Sequence, residues 1–219
     1  MNDAEIKPTD KVKKLGIYLD QQLAMSDQID SLCRLLYFEL HRIGLVRRFL
    51  TIDATKCLMV SLVLSKIDYC NVLLSGLPDE QLKRLQTVQN YAARIIFMKK
   101  KTDHVTPLLI RLHWLPIKAR IDYKSATIVF KCLHNLAPQY LADLIHLKPN
   151  PRSLRSSNDT TILAIEKNKS KSYGDRTFEF FGTKLWNSLP RQLREKDTLQ
   201  SFKTSLKTFL FEKYLLDVV

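Results

Sequence analysis

Apolar positions recur three and four residues apart along most of this chain, the spacing of helices buried on one face. Ser26 can cap the first such segment, with Asp27 and Asp30 in its first turn, where acids favour the positive end of the helix dipole. Ile29, Leu32, Cys33, Leu36, Leu40 and Ile43 then mark its apolar face. A second helix is predicted from near Thr51, carrying Leu58, Met59, Leu62, Val63 and Ile67 before stopping at Gly76. The third opens at Pro78 with Asp79 and Glu80 and shows Leu82, Leu85, Val88, Ala92, Ile95 and Ile96. Linkers this short favour antiparallel neighbours, so residues 21–98 read as a three-helix bundle. Ahead of it, VKKLGIYLD (12–20) reads as one short strand.

Beyond the bundle, proline punctuates. Pro107, Pro116 and Pro138 each precede an apolar-periodic stretch, as expected for a first helical turn. The longest runs from Pro116 towards Asn135, with Ile117, Ile121, Ile128, Cys132 and Leu133 on one side. Trp114 just before it reads as a core wedge, and His113 as a hydrogen-bonded structural residue rather than a base. From Leu147 to Asp159 the sequence LKPNPRSLRSSND has little periodicity and reads as a loop or linker. TTILAIE (160–166) has the β-branched character of one short strand. Phe178, Phe181, Leu185 and Trp186 mark one further helix; Phe202, Leu206, Phe209, Leu210 and Tyr214 mark another. The expected fold class is mostly α: a three-helix bundle after an N-terminal strand, then a helical C-terminal region with room for one strand.

At 219 residues and 45% apolar, the chain can bury a real core in one or two domains, about 70% of its unfolded surface. Apolar runs such as CLMV and LVL fall far short of the ~20 residues a bilayer span needs, and MNDAEIKPTDKVKK has no apolar leader region. The expectation is an intracellular chain of nucleus or cytoplasm, not secreted and without membrane contact. Cys33, Cys57, Cys70 and Cys132 are widely spaced with no C-x-x-C pair, so buried thiols are expected and no metal site. Neither a Gly-rich phosphate loop nor a triad-spaced nucleophile occurs, and no cofactor is expected.

Charge changes this picture. Lys and Arg number 35 against 22 Asp and Glu, a net charge of +13, and the excess is 0, +4, +4 and +5 over residues 1–20, 21–103, 104–149 and 150–219. An excess spread this way belongs to a folded surface with basic patches, which attracts phosphate backbones without reading sequence. Arg34, Arg42, Arg47, Arg48 and Lys56 fall off the apolar stripes of the first two helices and their junction, which makes them candidates for phosphate contact. Arg94 with Lys99, Lys100 and Lys101 forms a second cationic cluster after the third helix; dipole compensation at a helix end accounts for part of that charge.

Four blocks carry a resemblance. KKLGIYLD (13–20), KIDYCNVLLSGLP (66–78), RLHWLPIKARIDYK (111–124), and SYGDRTF with KLWNSLP (172–178 and 184–190) stand in this order. Together they resemble the region downstream of the polymerase core in LINE-type (non-LTR) retrotransposon reverse transcriptases, closest to the jockey-like elements. The resemblance implies that residues 1–20 are a remnant of the last palm strand, that 21–103 form a thumb-like bundle, that 104–149 form a helical connector, and that 150–219 form a linker and C-terminal helical region. It implies binding to a template–primer duplex, RNA–DNA or DNA, or to element RNA. It also implies that the catalytic palm is missing. Reverse transcriptases hold two Mg²⁺ ions on an Asp-Asp turn and an upstream Asp, yet no two Asp residues are adjacent here. Asp20, a lone carboxylate at a strand end, reads as a turn residue, so no catalytic residue is assigned. Two other accounts stay open: a degenerate or co-opted helical scaffold for protein interaction, and the tail of a longer polymerase.

The purified chain is therefore expected to extend no primer on an RNA template in Mg²⁺ or Mn²⁺. Template-dependent incorporation above a buffer control, abolished by changing Asp20, would overturn that expectation.

Overall fold

The computed structural model describes residues 9–148, 161–165 and 171–216, for 171 and 172 the backbone alone. The fold is mostly helical with one small antiparallel sheet near the N-terminus. The chain divides into two compact units, Met1–Ile67 with Leu77–Asp103, and Asp68–Gly76 with His104–Val219.

The first unit begins with a hairpin where the sequence suggests one strand. β1 (Lys11–Lys14) pairs antiparallel with β2 (Ile17–Asp20), Lys14 opposite Ile17. Leu15 (φ 48°) and Gly16 (φ 83°) form the two-residue turn; both are left-handed, as the twist of a tight hairpin demands. Alternation alone could not reveal the reversal, because Leu15 looks like a strand residue although it is 82% exposed. The hairpin docks through Tyr18 N–H, which donates to Gln28 Oε1 (3.0 Å).

Three helices follow. α1 (Ser26–Val46) runs along α4 (Asp79–Ile96), and α2 (Ile52–Met59) packs on both. Ile29, Leu36, Leu40, Met59, Val63, Leu85, Val88 and Ile96 are the buried seam between them. Ser26 does not cap α1; its hydroxyl accepts from the Gln81 amide instead (3.2 Å). Asp20 takes over the entry, accepting from the N–H groups of Ala24 (2.8 Å) and Met25 (2.9 Å). α2 continues through a π turn at Val60–Leu64, in which the Ser61 hydroxyl donates back to Cys57 O (2.9 Å), into α3 (Ser65–Asp68). The second helix thus ends at Asp68 rather than at Gly76, and residues 68–76 pass into the second unit.

That unit is built around α6 (Ile117–Leu133). The 3-10 turn Asn71–Leu74, α7 (Gln139–Ala142), α9 (Phe178–Asn187) and α11 (Leu199–Phe211) all pack against it, while α5 (Thr106–Leu112), α8 (Lys171–Gly174) and α10 (Arg191–Arg194) complete the unit. Pro116 stands at the N-cap of α6, and Trp114 and Leu115 just before it are buried, the wedge its sequence suggested. The single apolar side expected of α6 is a correction: Asp122, Ser125 and Thr127 are buried together with Ile117, Ile121, Val129 and Phe130. A helix enclosed by several neighbours has few solvent positions. Phe130 stacks on Phe202 (4.5 Å between ring centroids) and both lie against Trp186, so residues on either side of position 150 share one core.

Charged and polar residues of the sequence blocks turn into architecture here. The Arg120 guanidinium grips the Asp68 carboxylate with Nε on Oδ1 (2.8 Å) and Nη2 on Oδ2, tying 68–76 to α6. Gly76 (φ 68°) lies so close to Arg176 that an added Cβ would meet its Cγ at 2.8 Å. Among the described residues of the short strand read in 160–166, one bridge forms, Leu147 to Leu163. Asn187 accepts from Leu163 N–H (2.9 Å) and donates to its carbonyl (3.0 Å), and Trp186 Nε1 donates to Thr161 O (2.9 Å). Most of the loop read at 147–159 lies outside the described residues.

Burial, the largest cause, pushes the Asp122 carboxyl above its ordinary range, partly offset by the Tyr214 hydroxyl that donates to it (2.7 Å) and by Lys213 and Lys118. The folded chain then holds this proton more tightly than the unfolded one. The stability this group gives is complete below about pH 4 and is lost as pH rises through the raised value. Asp122→Asn keeps the shape and an acceptor for Tyr214, so in urea titrations the variant should match the parent near pH 4 and exceed it at pH 7. A variant less stable than the parent at pH 7 would mean that the carboxylate is a net favourable partner.

Candidate nucleic-acid interface

The end of α4 is where cations gather. Residues 87, 91 and 94 lie on one face of that helix, spaced four and three apart. The helix then stops with Met98 in the left-handed region (φ 50°), Met98 N–H donating to Ile95 O (3.2 Å) and Lys99 N–H to Arg94 O (2.9 Å). This is the Schellman way of closing a helix, with methionine where glycine is usual. The chain turns back at once. Arg94 Nη2 donates to Asp103 O (3.0 Å), and the Asp103 carboxylate accepts from Lys100 N–H (3.0 Å). The lysine run is therefore held beside the helix instead of trailing from it.

Across from this turn, Tyr37 of α1 lies near Tyr91, ring centroids 6.5 Å apart and tilted by 41°. Tyr37, Thr87, Tyr91, Arg94, Lys99 and Lys101 line a groove of about 390 Å³. Both tyrosines are more than 40% exposed, and among the described residues no carboxylate lines the groove. Burial is the largest cause raising the Tyr37 hydroxyl above its usual range, so at neutral pH it remains a protonated donor. Arg94 still presents guanidinium edge to the groove, since its bonds to Asp103 O use Nε and Nη2 and leave Nη1. Positive charge, two aromatic faces and a recess with no acid suit a phosphate-bearing ligand.

The other candidate cations fare differently. Arg47 is buried (7% exposed), a correction to its expected place on the surface. Its Nη2 donates to Ile96 O (2.6 Å), Nε to Ile95 O (3.0 Å) and Nη1 to Leu50 O (2.7 Å). A cation at the last carbonyls of a helix satisfies groups that have no partner within the helix and complements the dipole. Arg48, its neighbour, is exposed and lies over the Phe49 ring (4.6 Å). Arg42 pairs with Glu39 (3.6 Å), which also holds Lys66 (3.2 Å), and its guanidinium lies over Phe38. Arg34 lines a separate recess with Asp27 and Asp30, an unsuitable place for an anion. Lys56 is half-buried on α2, and Lys100 is exposed but outside the groove lining.

Compared with protein-family models, with curated proteins and with solved structures, the chain matches none. Among the described residues no group of three or more His, Cys, Asp or Glu side chains is placed to hold a metal ion, and no helix is long and apolar enough to cross a membrane. Cys33 and Cys132 are buried, while Cys57 and Cys70 are exposed, against the expectation of four buried thiols. The His113 ring lies against Phe211 (5.8 Å).

Tyr37 and Tyr91 are the site residues that the pattern of charges alone passes over. A signal was present: an exposed aromatic one turn from Thr87 and from Arg94 on a helix whose apolar stripe is already complete. Pairing with a tyrosine 54 positions away was not readable locally.

Arg47→Ala is expected to cost about 3 kcal/mol, because charged hydrogen bonds are lost and the Ile96 carbonyl at the helix end loses the donors that Arg47 supplies. Arg48→Ala should stay within about 0.5 kcal/mol, as at most exposed sites. Urea unfolding of the two variants checks this; equal effects would mean that Arg47 is not the cap of α4.

Proposed function

We propose that this chain is a helical nucleic-acid-binding module that grips a phosphate backbone at the end of α4, and that it carries no polymerase chemistry of its own. The observation that supports it most is the groove in which Arg94, Lys99 and Lys101 lie beside Tyr37 and Tyr91 with no acid among them. The sequence blocks quoted above extend the reading: the chain derives from the thumb and C-terminal region of a LINE-type reverse transcriptase, with template–primer duplex or element RNA as its partner. In that role, Lys99, Lys100 and Lys101 contact phosphates, Arg94 fixes the turn that carries them, and Arg48 and Lys56 are auxiliary cations. Arg47 acts from beneath by capping α4, and Asp20 by holding the turn into α1.

A second reading has its own support. Leu35, Phe38, Leu45 and Phe49 are all more than 40% exposed and follow one another by three, seven and four residues along α1 and the turn after it. That spacing suits a partner protein's helix laid along the stripe, the surface a scaffold would use.

Salt titration separates the two. If about four phosphates are contacted, log affinity for duplex should fall against log salt with a slope of roughly −3.6 and little sequence preference. Replacing Lys99, Lys100 and Lys101 together with Ala should flatten the slope by about 2.7, whereas Lys196→Ala should leave it within error. Salt-independent binding, or equal losses from both sets, would sink the phosphate grip and favour the scaffold.

A further inference from the structure

A second groove, of about 530 Å³, lies in the other unit and involves none of the cations discussed so far. One wall is a single face of α11: Gln200, Lys203, Thr204, Lys207, Thr208 and Phe211 recur at intervals of three, one, three, one and three. The opposite face of the same helix buries Phe202, Leu206 and Leu210 in the core, so this polar stripe is fixed in direction by packing. Facing it are His113, which ends α5, and Tyr123 of α6. His113 adopts the left-handed conformation (φ 53°) and so turns its ring onto Phe211, forming an aromatic ledge at one end of the groove.

The polar groups are arranged with one sign. Thr204 donates its hydroxyl to Gln200 O (3.0 Å) and Thr208 donates to Thr204 O (3.2 Å), so towards the groove both oxygens only accept. Lys203 and Lys207 are one turn apart, and among the described residues neither has a carboxylate within salt-bridge distance. Like charges at this spacing repel unless an anion lies between them. Among the described residues no acid lines the groove. Burial raises the Tyr123 hydroxyl above its usual range, which keeps it a protonated donor beside the lysines. The set consists of two cations for a phosphate, acceptors for amino or hydroxyl groups, and an aromatic ledge for a planar ring.

We propose that this groove binds one nucleotide unit of a single strand, with its phosphate between Lys203 and Lys207 and its base on the His113–Phe211 ledge. An open recess of this size admits an unpaired base with its sugar and phosphate, within the range usual for small-ligand sites. Base–aromatic stacking tolerates any sequence, so selection is for unpaired over paired strands. The site is independent of the end of α4: it uses other residues of another unit and does not rest on the phosphate grip proposed there.

The test uses the full chain carrying Lys99→Ala, Lys100→Ala and Lys101→Ala, which removes the first set of cations. Fluorescence anisotropy in 0.1 M salt is read with a labelled 12-nucleotide oligouridylate and a 12-base-pair duplex, and competition with adenosine 5′-monophosphate is read alongside. Lys203→Ala with Lys207→Ala should weaken the single strand about tenfold and the duplex less than twofold. His113→Asn, a residue that tolerates the left-handed conformation, should weaken the single strand about fivefold while leaving thermal unfolding unchanged. Competition by the free nucleotide at millimolar concentration supports the site, and its absence together with unchanged single-strand binding in both variants would overturn it. Equal losses for strand and duplex would also overturn it, since they would mark a general basic surface.

Discussion

The way α4 ends sets what the first unit can present. A helix leaves its last carbonyls short of partners, and here the guanidinium of Arg47, reaching across from the end of α1, takes Ile96 O and adds a second donor to Ile95 O beside Met98 N–H. With those groups satisfied, the backbone can turn sharply at Met98 and return along the helix, where Arg94 holds Asp103 O. Without the cap, the buried end would have to fray or draw in water, and the lysines of 99–101 would have no fixed position. One buried arginine thus determines where three exposed lysines stand. The same logic explains why neighbouring Arg47 and Arg48 have unrelated roles: the first is turned inward to the helix end, and the second lies over Phe49 at the surface.

The second unit depends on a comparable inward use of charge. Arg120 on the central helix holds Asp68, and this keeps the 68–76 segment on α6 even though the chain returns to the first unit at Leu77. Around the same helix, Trp186 and Asn187 hold the backbone of 161–163 with three hydrogen bonds. The charged and polar residues of the sequence blocks are thus mainly architectural. The grooves proposed for ligands draw on residues outside the blocks, such as Tyr37, Tyr91, Lys203 and Lys207, and on two inside them, His113 and Tyr123.

Much of the helical framework was legible because the apolar period survives wherever one face is buried: Leu36, Leu40 and Ile43 of α1 and Leu82, Leu85 and Val88 of α4 are all in the core. The misreadings have local causes. Leu15 in a hairpin turn breaks no alternation, since the strand pattern continues on both sides of it. The π turn at Val60–Leu64, where the hydroxyls of Ser61 and Ser65 bond back to the helix backbone, leaves no mark on hydrophobicity. α6 shows weak amphipathicity because four elements enclose it, so Asp122 and Thr127 are buried along with Val129. Arg47 looked like a surface cation, because a one-dimensional pattern carries no sign of the helix end it would meet 48 residues later. The groove at α4 was half-legible: its cations were readable as a cluster, and its tyrosines were not.

Photocrosslinking of the full chain to a template–primer duplex, with the attached peptides mapped by mass spectrometry, is the most direct test of the grip at the end of α4. Crosslinks are expected on peptides carrying Tyr91, Arg94 and Lys99 to Lys101, and they should fade as salt rises. Crosslinks concentrated instead on the Phe38–Phe49 stretch of α1, or spread evenly over every lysine-bearing peptide, would contradict it.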